Sequence, residues 1–348
     1  MDRADRPPSR SSDVGTRSRT SRAVVQQVYG PPDALEVGSI PTPAPGPGEV
    51  LVRVRAASLN ARDWHVMRGE PRLARLLDRR SFGLRGPRVA IRGTDLAGTV
   101  EALGEGVTRW RVADQVFGEG TATLADHAVV PADQLAAIPD GLGFEKAAAL
   151  PLAATTALLC LDAVDPAPGS SILLNGASGG VGTFAIQMAK AMGLQVTAVV
   201  SPRNNALALA LGADRVVDYT TEDFTRSGIE HDVVVDLVGN HGLSDLRKAI
   251  RPGGALVLSG GGVSGAGKVI GPLRLLIWGQ LYGRLRRVRV LVPQARPDAA
   301  ALERVAELIA AQQVVPVIDR RFRLEDAADA IRYMENQHTS GKVVITTD

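Results

Sequence analysis

The residues best suited to chemistry form a glycine-rich turn between a short apolar run and an amphipathic helical pattern. Small side chains let a backbone approach a pyrophosphate closely, and the free N–H groups at the start of the following helix then face the anion. The spacing Gly176-x-x-Gly179-x-x-Gly182, overlapped by Ala177-x-Gly179-x-x-Gly182, is typical of dinucleotide-binding turns in this context. The sequence therefore predicts a nucleotide site built from Gly176, Ala177, Ser178, Gly179, Gly180, Val181 and Gly182.

The residues after the next apolar run indicate which nucleotide this turn binds. A site for NAD usually has Asp or Glu at the end of the second strand, whereas a 2′-phosphate favours a cation there and no acid. In this chain Ser201, Arg203 and Asn204 follow the run and no acid does. Arg203 can pair with a phosphate, while Ser201 and Asn204 can donate hydrogen bonds to it. We therefore predict NADPH (NADP), the alternative being that Arg203 is a solvated loop cation.

The elements around these residues follow a recognisable order. After the glycine turn, short Val/Leu/Ile runs at residues 195–200, 215–218, 232–238 and 254–259 alternate with helical patterns, among them residues 206–211 and 243–250. Continuous apolar runs are typical of strands buried on both faces of a parallel sheet. Core helices are the alternative, but these runs are short, β-branched and bounded by glycine, proline or charge. An α/β fold with a doubly wound sheet is predicted.

The N-terminal part of the chain has a different pattern. Residues 1–21 are rich in Arg, Ser, Asp and Pro and are expected to form a disordered tail. A transit peptide is the alternative, although such peptides avoid acids and this tail contains Asp2, Asp5 and Asp13. From Arg22 many turns separate short strand-like runs, which predicts a small irregular β-barrel ahead of the nucleotide-binding part.

Composition excludes several classes of protein. With 348 residues, 45% hydrophobic and 22% charged, the chain has an ordinary globular balance and no apolar run long enough to span a bilayer. The single cysteine, Cys160, excludes an internal disulfide and a cysteine-rich zinc cluster. The formal charge of +3 is spread along the chain, which does not favour a nucleic-acid surface. We expect a cytoplasmic protein.

Several motifs occur in an order that resembles the zinc-independent medium-chain dehydrogenase/reductase superfamily, quinone oxidoreductase branch. They are Ser58-Leu59-Asn60-x-x-Asp63, Gly93-Thr94-Asp95-Leu96-Ala97-Gly98, the glycine turn and Gly341-Lys342-Val343-Val344. The resemblance covers the chain from Arg22 to the C-terminus. It implies a GroES-like β-barrel domain made of residues 22–151 and 296–348, a Rossmann domain at 152–295, and a homodimer.

The resemblance also implies roles for individual residues. Asn60 and Asp63 would border the active site as catalytic residues. The nicotinamide and the cofactor groove would be lined by Thr155, Thr156, Gly239, Gly260 and Gly261. His65 falls where several quinone reductases have tyrosine, so it is a candidate proton donor, with a hydrogen-bonded structural histidine as the open alternative.

Comparison with zinc-dependent relatives predicts that no metal is bound. Where those relatives have a ligand cysteine, a ligand histidine and a second ligand cysteine, this chain has Asn60, Thr94 and, near the third position, Pro151. The four-cysteine structural lobe is missing as well. Asp63, His65 and Asp95 could supply oxygen and nitrogen atoms, but no thiolate is present and their spacing does not match a zinc site.

Two further segments are distinctive. Residues 71–92 carry many arginines, and residues 273–292 combine apolar positions at helical spacing with a group of arginines. The second segment is interpreted as a lid over the substrate mouth that leads into a strand pairing between subunits, with a membrane-surface helix as the alternative.

The expected function is NADPH-dependent hydride transfer to a quinone or to an α,β-unsaturated carbonyl compound. Two alternatives stay open: an alcohol/carbonyl dehydrogenase, and a non-catalytic NADPH-binding sensor or scaffold. The polar residues Asn60, Asp63 and His65 favour catalysis, because a protein that only binds the nucleotide has no need of them.

Overall fold

The structure is a computed structural model that describes residues 19–70, 72, 75, 82–83, 86–259, 288–294, 296–337 and 339–347. Gly260, Gly261, most of the predicted lid at 273–292, half of the arginine-rich segment at 71–92 and residues 1–18 of the predicted tail lie outside the described residues. Within the described part of the chain, no helix is both long and apolar enough to cross a membrane.

The described residues form the following strands and helices. The strands are β1 (Thr20–Val25), β2 (Glu36–Pro41), β3 (Glu49–Leu59), β4 (Asp95–Leu103), β5 (Gln115–Glu119), β6 (His127–Pro131), β7 (Leu135–Ala137), β8 (Ser171–Asn175), β9 (Gln195–Val200), β10 (Arg215–Asp218), β11 (His231–Asp236), β12 (Ile250–Leu258), β13 (Arg289–Leu291), β14 (Ile318–Arg323) and β15 (Lys342–Thr346). The helices are α1 (Ala61–Arg68), α2 (Phe144–Ala148), α3 (Pro151–Asp162), α4 (Gly180–Ala191), α5 (Asn205–Ala210), α6 (Leu243–Leu246), α7 (Ala299–Ala310) and α8 (Ala327–Asn336).

A six-stranded parallel sheet contains the glycine turn. Its strand order is β10-β9-β8-β11-β12-β13, and every residue of β8 is buried. Neighbouring strands run parallel throughout, with helix α4 connecting β8 to β9. This is the strand order of a doubly wound dinucleotide-binding fold, with its switch point at β8. The predicted Rossmann sheet is confirmed.

A second sheet combines strands from both ends of the chain. Its order is β14-β15-β3-β4-β5-β7, and β6 pairs with the other part of the long strand β3. Strand β15 runs antiparallel to β3, with Val343 opposite Leu59. The barrel core is made of the inward side chains of these strands and of α8. This is the expected GroES-like architecture, and its closure by β15 brings Lys342 next to Asn60.

Two local predictions differ from the structure. Strand β1 begins at Thr20, so the predicted tail at 1–21 extends two residues too far; Ser21 is only 2% exposed and its hydroxyl contacts His127 Nδ1 at 2.8 Å. The predicted helix at 243–250 ends early, because Ile250 is fully buried as the first residue of β12 and pairs with His231.

Cys160 lies in α3, as expected from its helical pattern. It is 1% exposed, and this burial raises the pKa of its thiol to about 11. A thiol that stays protonated at neutral pH is a poor nucleophile, so Cys160 is a packing residue.

Candidate active site

The glycine turn has a backbone that only small residues permit. Gly176 has a φ of +89°, and a Cβ there would lie 2.6 Å from Val238 Cγ2. A Cβ on Gly182 would lie 2.4 Å from the carbonyl oxygen of Gly176. The turn therefore leaves room for a pyrophosphate against the N-terminus of α4, and the residues present fit a dinucleotide cofactor.

A cavity of about 560 Å³ runs along this turn. Of the residues predicted from the sequence, it is lined by Asn60, Gly176, Ser178, Gly179, Gly180, Val181, Gly182 and Ser201. Ala177 is completely buried and supports the turn from below. The cavity also contacts residues that the sequence analysis did not single out, among them Trp64, Tyr219, Asn240 and Lys342.

The predicted phosphate-recognition residues have different positions. Ser201 lines the cavity, whereas Arg203 is exposed and does not. Asn204 is buried; its Nδ2 donates to Ser201 Oγ at 3.2 Å, and its Oδ1 accepts from Ser340 Oγ at 2.6 Å. Asn204 thus ties the loop after β9 to the segment before β15.

Asn60 and Asp63 meet at the start of α1. The backbone N–H of Asn60 donates to Asp63 Oδ2 at 2.7 Å, and the backbone N–H of Asp63 returns a hydrogen bond to the Asn60 carbonyl at 3.0 Å. Asp63 is 4% exposed, and burial raises the pKa of its carboxyl to about 6. Asn60 lines the cavity, whereas Asp63 does not. Asp63 fixes the backbone of Asn60 through the hydrogen bond from the Asn60 N–H.

Lys342 extends from β15 to the Asn60 side chain. Its Nζ donates to Asn60 Oδ1 at 2.5 Å, to the Leu59 carbonyl at 3.0 Å and to Asp95 Oδ2 at 3.3 Å. The side chains of Lys342 and Asp95 are 3% and 0% exposed, so this is a buried ion pair. Asn60 Nδ2 donates in turn to Thr94 Oγ1 at 3.1 Å. In the sequence, Lys342 is noted only within the family motif at residues 341–344, and this contact was not predicted.

Glu119 and Thr155 contact each other near the start of α3, outside the cavity lining. Thr155 Oγ1 donates to the Pro151 carbonyl at 2.7 Å and lies 3.5 Å from Glu119 Oε1. Burial, and then the charge of Asp95, raise the pKa of Glu119 to about 7. Thr155 is buried and Thr156 half-buried, and neither lines the cavity, whereas Ala153 on the same helix does.

His65 lies beside the cavity without lining it. Its ring stacks on Trp64 with centroids 3.8 Å apart, and its Nδ1 lies 3.1 Å from the Glu70 carbonyl. Gly239 does not line the cavity either, although its neighbours Val238 and Asn240 do. Its φ is +77°, and its backbone N–H donates to Asp236 Oδ1 at 2.9 Å. Gly239 therefore shapes the turn that carries these two neighbours.

The donor atoms near Asn60 do not fit a zinc ion. Within the described ranges, no group of three or more His, Cys, Asp or Glu side chains is arranged to hold a metal. At Asn60 the amide oxygen already accepts from an ammonium group, and a second cation at that oxygen would be repelled by it.

Two family models match the chain. The model described as "Alcohol dehydrogenase GroES-like domain" matches residues 46–140. The model described as "Zinc-binding dehydrogenase" matches residues 211–345. The two matches correspond to the barrel sheet and to the C-terminal part that contains most of the parallel sheet and β15.

Individual proteins are similar over nearly the whole chain. A chloroplastic quinone-oxidoreductase homolog of Spinacia oleracea is 32% identical over 335 residues, which is 90% of this chain and 94% of that protein. A chloroplastic NADPH-dependent alkenal/one oxidoreductase of Arabidopsis thaliana is 30% identical and covers 93% of this chain and 79% of that protein. The structure of the quinone oxidoreductase from Coxiella burnetii superimposes with a TM-score of 0.81 at 27% identity, covering 95% of this chain and all of that chain. The chain therefore belongs to the quinone oxidoreductase branch of the medium-chain dehydrogenase/reductase superfamily and is an NAD(P)H-dependent oxidoreductase.

Proposed function

We propose that this protein uses NADPH to reduce a quinone or the β-carbon of an α,β-unsaturated carbonyl compound, and that it does so without zinc. The observation that carries the proposal is the Asn60 amide, which lines the cavity beside the glycine turn and is held there by Thr94 and Lys342. The names of the similar spinach and Arabidopsis proteins support the same two substrate classes.

The glycine turn would hold the cofactor pyrophosphate, and Ser201 and Tyr219 line the cavity at its far end. We assign 2′-phosphate recognition to Ser201, Arg203 and Asn204, as predicted from the absence of an acid after β9. Thr155 and Thr156 stay proposed contacts on the nicotinamide side, and Gly239 stays a proposed part of the cofactor groove. When bound, NADPH supplies the hydride, and the protein supplies orientation and electrostatics.

The substrate oxygen would be held by the Asn60 side chain. Nδ2 has two hydrogens; one is donated to Thr94 Oγ1, and the other has no acceptor among the described residues. A neutral N–H donor aimed at a carbonyl oxygen stabilises the negative charge that develops there during hydride addition. Asp63 fixes the Asn60 backbone, and His65 stays the candidate proton donor.

Independence from zinc rests on the chemistry of the donor atoms. Asn60 and Thr94 offer neutral oxygens, Pro151 offers no side-chain ligand, and the Asn60 oxygen is bound to Lys342. The alternative of a zinc-dependent alcohol dehydrogenase is favoured by the description of the second family model and by similar proteins that are named alcohol dehydrogenases. The chelation arm of the experiment below separates the two.

We further propose a cytoplasmic homodimer with domain boundaries at 151/152 and 295/296. Strand β13 supports the dimer, because it is the terminal strand of the parallel sheet and offers an unpaired edge within the described residues.

The test is an NADPH-oxidation screen against quinones, enones, aldehydes and simple ketones, run before and after exhaustive chelation. We expect oxidation with quinones or enones, unchanged by chelation, with well under one zinc per chain. Activity only on aldehydes or simple ketones that disappears with the metal would establish the dehydrogenase instead. Tight NADPH binding without oxidation by any acceptor would establish a binding protein.

A further inference from the structure

We propose that Lys342 is a positioning residue that supplies the positive charge of the active site through the Asn60 amide. The ammonium group fixes the amide oxygen and polarises the amide, so that the free Nδ2–H becomes a strengthened donor to the substrate oxygen. This inference rests on the proposed function, in which Asn60 holds that oxygen.

Lys342 lines the cavity, but its ammonium group has no donor left for the substrate. An ammonium carries three donors and no acceptor. The three donors of Lys342 are committed to Asn60 Oδ1, the Leu59 carbonyl and Asp95 Oδ2, at 2.5, 3.0 and 3.3 Å. With the side chain 3% exposed, the cation acts on the cavity only through the groups that it contacts.

The same contacts determine which way the Asn60 amide faces. Because Lys342 only donates, the amide atom next to it must be the oxygen, and Nδ2 must lie on the side of Thr94 and the cavity. A reversed amide would direct two N–H groups at an ammonium group. The orientation of the free N–H is therefore a consequence of the lysine, and not of Asn60 alone.

The charge also changes the strength of that donor. Hydrogen bonds to ionised groups are about twice as strong as neutral ones, and a bond at one end of an amide polarises the other end. The effect is large where water is excluded, as it is around Lys342 and Asp95. Lys342 thus provides, through an amide, the carbonyl polarisation that a metal provides in zinc-dependent relatives.

Lys342 is also in contact with the glycine turn. A Cβ on Gly180 would lie 2.8 Å from Lys342 Cδ, so the aliphatic part of the lysine packs on the turn. The preceding residue, Gly341, donates its N–H to the Ser178 carbonyl at 2.8 Å. Because Lys342 contacts both Asn60 and the glycine turn, it sets the position of the Asn60 amide relative to the turn that is proposed to hold the cofactor.

The variants must not leave Asp95 as an uncompensated buried charge, because that alone can unfold a protein. In Asp95→Asn the buried Lys342 keeps the nearby carboxyl groups of Asp63 and Glu119 as counter-charges. Asp95 accepts hydrogen bonds from Ser58 Oγ at 2.9 Å through Oδ2 and from the Leu152 N–H at 3.3 Å through Oδ1. An asparagine has a single acceptor oxygen, so it can keep the shorter bond from Ser58 and gives up the longer one from Leu152.

The kinetic comparison is therefore between Asp95→Asn and Asp95→Asn/Lys342→Met. Lys190→Met is the matched control, since Lys190 is also partly buried in an ion pair, with Asp214, but does not line the cavity.

We expect the loss of Lys342 to slow single-turnover oxidation of bound NADPH by about 10- to 100-fold, while the NADPH dissociation constant changes by less than about threefold. Asn60→Ala should cause a loss of about 10²-fold. Adding Lys342→Met to Asn60→Ala, both in the Asp95→Asn background, should cause little further loss, because the lysine acts through the asparagine. An unchanged rate without Lys342, or a full additional loss in the Asn60→Ala background, overturns the proposal.

A second measurement does not depend on any substrate. In protein carrying isotope-labelled asparagine side chains, the NMR resonances of the Asn60 Nδ2 group are identified by their loss in Asn60→Ala. Removing Lys342 in the Asp95→Asn background should move both resonances, whereas Lys190→Met should not. If the wild-type protein oxidises NADPH with none of the acceptors, the proposed function is wrong. The Asn60 resonances still decide, in that case, whether Lys342 orients and polarises the Asn60 amide. Resonances that stay in place overturn the inference.

Discussion

The backbone N–H of Gly341 donates to the carbonyl oxygen of Ser178 at 2.8 Å, which joins the last strand of the barrel sheet to the glycine turn of the parallel sheet. Gly179 and Gly341 also form an isolated parallel β-bridge. A Cβ on Gly341 would lie 2.4 Å from the Val317 carbonyl, and its φ is +102°, so only glycine fits this close approach. The contact explains why residues more than 150 positions apart in the chain share one cavity.

Gly182→Ala should weaken cofactor binding before it affects the rest of the fold. The added Cβ would lie 2.4 Å from the Gly176 carbonyl and 2.6 Å from Ala177 Cα, so the turn must open. We expect the NADPH dissociation constant to rise by at least about tenfold, measured by fluorescence titration, since a shifted turn loses N–H contacts to the anion.

Gly143→Ala is the control for this substitution. A Cβ on Gly143 meets nothing within 4 Å, and its φ of −71° suits any residue. NADPH affinity should therefore be unchanged in that variant. Equal affinities in Gly182→Ala and the wild type would contradict the assignment of the turn.

Cofactor preference depends on the loop after β9. Because Ser201 and Arg203 occupy the place of a ribose-binding acid, NADPH should bind at least about tenfold more tightly than NADH, which is about 1.4 kcal/mol. Arg203 is exposed, so it is free to close on a 2′-phosphate from the rim. Arg203→Ala should remove most of the preference, and Arg226→Ala, at a second exposed arginine, should not. Equal affinity of the wild type for both nucleotides would refute the assignment.

The turn and the two sheets could be predicted because their signals are local. Strands β9 and β10 were predicted at their observed ends, since apolar β-branched runs bounded by turns specify buried strands. The Lys342–Asn60 contact joins residues 282 positions apart, and no local pattern encodes it. Tyr219 was missed for a similar reason: it follows β10, and only the sheet order brings that strand end beside Ser201. The start of β1 was misplaced because Ser21 is a polar residue that is buried only through its partners His127 and Thr42.

The buried Glu119 should make stability depend on pH. Its folded-state pKa, about 7, lies above the ordinary value of 4.5, so the folded protein binds more protons than the unfolded chain between these values. The free energy of unfolding of the wild type should therefore fall relative to that of Glu119→Gln as the pH rises from about 4.5 to 7. The total fall is about 1.4 kcal/mol for each unit by which the folded-state pKa exceeds the unfolded-state pKa.

Urea unfolding at several pH values measures this difference. Glu105→Gln, at an exposed glutamate, serves as the control and should run parallel to the wild type. A free-energy difference between Glu119→Gln and the wild type that stays constant across this pH range would show that Glu119 is ionised in the folded protein as readily as in the unfolded one.

The last prediction concerns His65, which lies behind Trp64 at the edge of the cavity. If its imidazolium protonates the reduced substrate, His65→Phe should slow single-turnover enone reduction by about 10²-fold or more and leave NADPH affinity almost unchanged. Phenylalanine preserves the aromatic stacking on Trp64, so packing is largely maintained. Quinone reduction should be less affected, because a quinol oxygen can take its proton from water.

A structural role for His65 predicts a different pattern. The hydrogen-bond distance between its Nδ1 and the Glu70 carbonyl is 3.1 Å, and losing that contact should lower the melting temperature of His65→Phe and weaken both reactions together. His65→Asn provides the comparison, since its amide can restore a donor to that carbonyl without an imidazole that titrates near neutral pH. Restored stability with a slow enone reaction in His65→Asn supports the proton donor. Full enone activity in either variant would move the proton donor to water, to the nicotinamide ribose hydroxyl or to Tyr282.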